Sequence, residues 1–185
     1  MRLYISIVFL YFSSLIIFAQ YNDFYNNDES YTKRELKKLK KAEEKELIKK
    51  STLLMIEKKH FVLEADYIIN RYGNRFMVNS MLNFIKIDST DIILQLGSNT
   101  GIGYNGIGGI TLEGRINRYE IKEIKNGNLL HISSMTNLGF FDVFITVSNS
   151  GYADASVSGI SGGSVRYSGK IIPLELSRIY KGSSY

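Results

Sequence analysis

Three carboxylates are spaced as strand residues that a sheet could present together. Glu64 and Asp66 stand two apart in Phe61-Val62-Leu63-Glu64-Ala65-Asp66-Tyr67, and Glu113 is the nearest acidic candidate across a sheet. Paired carboxylates carry acid–base chemistry when a cleft holds one protonated and the other ionised. Their alternation with Phe61, Leu63, Ala65 and Tyr67 also fits a solvated outer face backed by a buried one. The two histidines, His60 and His131, lack ligand spacing to each other, and no G-x-S-x-G stretch marks a nucleophile elbow. Cysteine is absent, which removes disulfides, thiolate metal sites and thiol nucleophiles. No catalytic residue, metal ligand or cofactor is assigned on these grounds.

The other chemically suggestive stretch is Gly101-Ile102-Gly103-Tyr104-Asn105-Gly106, which matches the dinucleotide pattern G-x-G-x-x-G. That pattern holds pyrophosphate only where it opens a helix, whose N-terminal amides and dipole bind the anion. Here it leads into a strand-like run, so the glycines of Gly97–Gly109 are expected to serve positive φ and close backbone packing. The loop is either a connection or a cover over a binding site. As a cover, its ligand contacts are Tyr104, with a flat apolar ring, and Asn105, with a donor and an acceptor.

The elements that must position these residues are read from periodicity. Thr32-Lys33-Arg34-Glu35 has the form of a capping box, and a charged helix follows to Lys59. Leu36, Leu39, Leu47 and Leu54 share one helical face, interrupted by Glu43 and Lys50, and the apolar content from Leu47 to Ile56 predicts docking at that end, with Leu54 as a contact. From Phe61 the period changes to two. Strands are expected at Phe61–Ile69, Arg75–Asn79, Met81–Asp88, Asp91–Gly97, Gly109–Lys125, Leu129–Met135, Phe140–Val147, Tyr152–Ser158 and Ser164–Ile172. Asn126-Gly127 predicts a type I′ hairpin turn. In the long run from Gly109 the apolar parity switches from Ile110, Leu112 and Ile116 to Tyr119 and Ile121, which requires a bulge near Asn117–Arg118. Short turns without intervening helices imply a mainly β chain, an antiparallel meander closing into a small barrel or a strongly curved sheet behind one charged α-helix.

The N-terminus reads as a secretory signal over residues 1–19: Arg2, an apolar run from Leu3 to Phe18, and the small Ala19 before a polar segment. Residues 20–31 are Asn-rich and aperiodic, as in a flexible lead, and residues 60–185 make up the β-domain. The apolar run is shorter than the roughly 20 residues a spanning helix needs, so no membrane span is expected after cleavage. Without a Cys after the signal the chain is not a lipoprotein, and its expected address is the periplasm or the exterior. Residues 33 to 59 carry eleven Lys/Arg against five Asp/Glu, while the rest of the expected mature chain has eleven against thirteen. The basic character is thus confined to the helix. Export and the lack of aromatics among its lysines argue against nucleic acid as a partner.

Taken together, Phe61-Val62-Leu63-Glu64-Ala65-Asp66, the stretch Tyr104-Asn105-Gly106-Ile107-Gly108-Gly109-Ile110-Thr111-Leu112-Glu113-Gly114 and the tail Ile172-Pro173-Leu174-Glu175 resemble an uncharacterised secreted bacterial family, domain of unknown function 4251. The resemblance covers nearly the whole expected mature chain and implies a lipocalin-like barrel, with no activity, cofactor or catalytic residue attached. Two functions are expected from the residues. One is a non-catalytic envelope protein that binds a small apolar ligand or a protein partner; the other is a hydrolase acting through Glu64, Asp66 or Glu113.

Overall fold

The computed structural model describes residues 32–98, 103–159 and 164–184. The expected signal peptide and polar lead lie outside the described residues. The described chain divides into two units between Glu43 and Glu44. Helix α1 (Lys33–Lys58) opens with the expected capping box: the Glu35 carboxylate accepts from the Thr32 backbone N–H at 2.8 Å, and the Thr32 hydroxyl accepts from Glu35 N–H at 3.3 Å. Lys59 ends the helix in the left-handed region at φ 53 and turns the chain into the first strand.

Nine antiparallel strands follow: β1 (His60–Ile69), β2 (Arg75–Met77), β3 (Phe84–Asp88), β4 (Asp91–Leu96), β5 (Ile110–Ile124), β6 (Gly127–Thr136), β7 (Gly139–Ser148), β8 (Tyr152–Ser158) and β9 (Ser164–Pro173). Each pairs with its neighbours in the order β2-β1-β3-β4-β5-β6-β7-β8-β9, and β1 also pairs with β9. Eight strands therefore close a barrel, and β2 is an extra strand on β1 beyond the end of β3. Closure leaves those eight with no unpaired edge along the meander.

Side-chain alternation decides what fills the barrel. Phe61, Leu63, Ile85, Ile87, Ile132, Val143 and Ile145 all point inward and are buried. The register of β5 against β6 shifts between Ile116 and Arg118, the bulge that the parity switch requires. Beyond it Tyr119 faces inward, and its hydroxyl donates to the Ile56 carbonyl at 2.8 Å.

Four local expectations are corrected. A second shift, between Ala65 and Tyr67, places Ile68 instead of Tyr67 against the core, and Tyr67 lies under the Arg75 guanidinium at 3.6 Å from its ring centre. The β5–β6 turn is made by Lys125 and Asn126, neither at positive φ. Gly127 already belongs to β6, where a Cβ would meet the Val147 carbonyl oxygen. Residues 81–83 form a turn ahead of β3, held by the Asn83 side chain bonding to the backbone of Asn79 and Gly97. On the helix, Thr52 and Ile56 are the buried residues and Leu54 is exposed.

Candidate functional site

The barrel interior is packed through its middle, but an apolar cavity of about 200 Å³ remains between facing walls of the barrel. Leu94, Leu96, Ile110 and Leu112 line it from β4 and β5, and Val157, Val165 and Tyr167 from β8 and β9. All are inward positions of alternating strands. Among the described residues no charged side chain lines the cavity. The Tyr167 hydroxyl bonds to the Gln95 carbonyl at 3.4 Å, and burial pushes its ionisation upward, so the phenol is neutral at ordinary pH. An apolar cavity of about 150 Å³ stays dry and takes up benzene, so this one accommodates a group of that size or slightly larger.

A larger concavity of about 640 Å³ lies between β4 and β5–β6 and is lined by Lys86, Asp88, Asp91, Glu113 and Arg115 among others. It is bigger, yet its lining is charged, and three of those charges are held in ion pairs. Lys86 Nζ pairs with Asp88 at 3.0 Å, and Glu113 pairs with Lys181. The Lys86 bond, with a lesser part from His60, holds the Asp88 carboxyl below its ordinary value. Such a furrow is a charged, solvated surface, and the apolar cavity is the better candidate for a ligand.

None of the five residues singled out in the sequence lines the apolar cavity. The C-terminal tail instead gathers three of them as anchors. Ser177 donates to Glu64 at 2.6 Å, Lys181 pairs with Glu113, and Ser183 N–H donates to the Asn105 carbonyl at 3.1 Å. The Lys181 bond, aided by Ser184, holds the Glu113 carboxyl below its usual value. Asn105 is buried, and its side chain is engaged with the loop. The amide nitrogen donates to the Leu96 carbonyl and Thr111 Oγ1, and the oxygen accepts from Ile107 and Gly109 N–H. Tyr104 is exposed, and Asp66 sits exposed at the β1 bulge. Among the described loop glycines, Gly103, Gly106 and Gly108 have positive φ, and a Cβ on Gly109 would strike the Leu96 carbonyl.

The carboxylates do not converge. Glu64 is level with Phe84, Gln95 and Thr111 across β1, β3, β4 and β5, whereas Glu113 lies two residues further along β5. Three ladder steps at about 4.8 Å and two residues at about 3.4 Å along the strand put roughly 16 Å of sheet between their backbones. Neither histidine forms a triad. His131 Nε2 and the Ser133 hydroxyl both bond to the same Asp142 oxygen, leaving the aspartate between serine and histidine, where the ring has no contact with the serine proton. His60 bridges Asp88 at 3.2 Å and Glu175 at 3.0 Å, joining β1, β3 and the turn after β9. Among the described residues no group of three or more His, Cys, Asp or Glu side chains could hold a metal ion, and no helix is long and apolar enough to cross a membrane.

What the sequence reading missed is the set of cavity-lining aliphatics and Tyr167. Their inward parity is readable, but the empty space between opposite walls is not.

No curated protein matches the chain. Among solved structures, a crystal structure of a DUF4251 family protein from Bacteroides eggerthii is similar, at 25% sequence identity and a TM-score of 0.60, over 75% of this chain and 96% of that one. The family described as "Domain of unknown function (DUF4251)" matches residues 40–171. With that span covering most of the chain, including the greater part of the helix and of the barrel, the chain belongs to the DUF4251 family.

Proposed function

We propose that this barrel is a non-catalytic binding protein of the bacterial envelope, exported by the N-terminal signal, that takes a small uncharged apolar group into the cavity between β4–β5 and β8–β9. The observation that carries the reading is the cavity itself: about 200 Å³, lined by aliphatic side chains, Ser164 and one neutral tyrosine. Burying a charge there would cost several kcal/mol without a partner, so any polar part of the ligand stays at the rim. A hydrolase through Glu64, Asp66 or Glu113 gains no support from their separate positions and their tail contacts.

The test is a titration series from benzene-sized aromatics to short alkyl chains, followed by calorimetry, against wild type and Val157→Phe. Val157 is buried and faces the cavity, so the larger ring fills the space. Saturable binding to wild type, lost in a folded Val157→Phe, supports the reading. No binding across the series to wild type overturns it.

A further inference from the structure

We infer that helix α1 carries a self-complementary face that pairs, antiparallel, with the same helix of a second copy of this chain. At about 100° per residue, Leu36, Leu39, Glu43, Leu47, Lys50 and Leu54 fall within about 80° of arc. The four leucines are exposed, Leu47 by 60% and Leu54 by 51%. Leu54 is about half a turn of the helix away from Thr52 and Ile56, the buried residues of α1. The stripe is thus a second apolar face, separate from the one the helix buries.

Leucine is a strong helix former, and a single exposed leucine needs no partner. Two features distinguish this stripe. The leucines recur on one line over five turns, and the two residues that interrupt the line have opposite charge and flank Leu47, four residues before it and three after. At about 1.5 Å rise per residue, Glu43 and Lys50 lie roughly 6 and 4.5 Å to either side of Leu47. A two-fold axis passing near Leu47 then sets Leu47 against Leu47 of the second copy, Glu43 against Lys50 of the second copy, and the reverse pair on the other side. Leu39 and Leu54 meet at the ends. Parallel pairing in register would face Glu43 with Glu43 and Lys50 with Lys50, which repel. The charge order therefore commits the face to one occupant and one direction, and an isologous dimer needs only such a self-complementary patch.

The experiment is sedimentation equilibrium of the full chain, unlabelled, with single and double charge reversals. Wild type should show a monomer–dimer equilibrium. Glu43→Lys and Lys50→Glu should each raise the dissociation constant by about tenfold, since each turns two attractive contacts into repulsive ones. The double variant should return to within about threefold of wild type, the order of error expected for such pairs. Leu47→Asp, on the solvent side of the helix, should give a monomer with unchanged circular dichroism. A wild type that stays monomeric at all concentrations overturns the inference, and so does a double reversal no better than the singles. Reversals without effect on an existing dimer also overturn it. None of these outcomes bears on the barrel cavity.

Discussion

Gln95 shows how much one buried polar side chain can organise. It lies on the face of β4 opposite Leu94 and is fully buried. Its amide nitrogen donates to the Leu82 and Tyr180 carbonyls, and its oxygen accepts from Thr111 Oγ1 and Gly182 N–H. Gln95→Leu would leave those four groups without their partner at once. Each orphaned buried group costs about 1–3 kcal/mol, part of which the tail recovers by detaching into water. The expected loss is about 2–4 kcal/mol by urea denaturation, with faster proteolysis at Lys181 as the sign that the tail has lifted. Asp142 offers a pH-resolved counterpart. The Ser133 hydroxyl and, to a lesser degree, His131 hold its carboxyl below the ordinary value. A carboxylate with a lowered folded-state value contributes stability above its unfolded value, near 3.9, and loses it as pH falls through the folded one. Asp142→Asn should therefore be less stable than wild type near neutrality, with the gap closing as urea midpoints are followed below about pH 4.

At the scale of elements, the helix separates propensity from packing. Ile56 is fully buried against the barrel core, and the Tyr119 hydroxyl bonds to its carbonyl. Leu54, two residues earlier, is exposed on the other side. Ile56→Ala should cost about 2–4 kcal/mol, as buried large-to-small changes do. Leu54→Ala should stay within about 0.5 kcal/mol in the monomer. Equal losses in chemical denaturation at low protein concentration would refute this docking geometry. The β5–β6 hairpin makes a related point: its bulge turns Tyr119 inward, and without that parity change the ring would face solvent and the helix end would lose its bond.

For the molecule as a whole, the barrel, cavity and tail form one arrangement. The tail crosses from Glu64 to Gln95 and Asn105, and Phe84 lies in the ladder row between Glu64 and Gln95, fully buried although it faces away from the interior. The outer wall opposite the Leu94 side of the cavity is thus buttressed by the chain's own C-terminus. A ligand that enters only the folded barrel must stabilise it by mass action. At one hundred times its dissociation constant the gain is about 2.7 kcal/mol, readable as a rise in the thermal midpoint that Val157→Phe should abolish.

The capping box at Thr32, the strand runs from Phe61 to Pro173, the bulge after Ile116 and the mainly β meander were legible in the residues themselves, because caps, turns and period-two alternation are local properties. Tertiary structure alone decided which helical face docks, since both Leu54 and Ile56 satisfy a helical period and only the shape of the barrel selects Ile56. It also decided that Asn105 holds its loop and the tail together, through contacts with residues as far along the chain as Ser183. The cavity belongs to the same class: it is the volume left when Leu94 and Leu112 meet Val157 and Tyr167 across the barrel, a sum over residues that are distant in sequence and become neighbours only when β1 closes on β9.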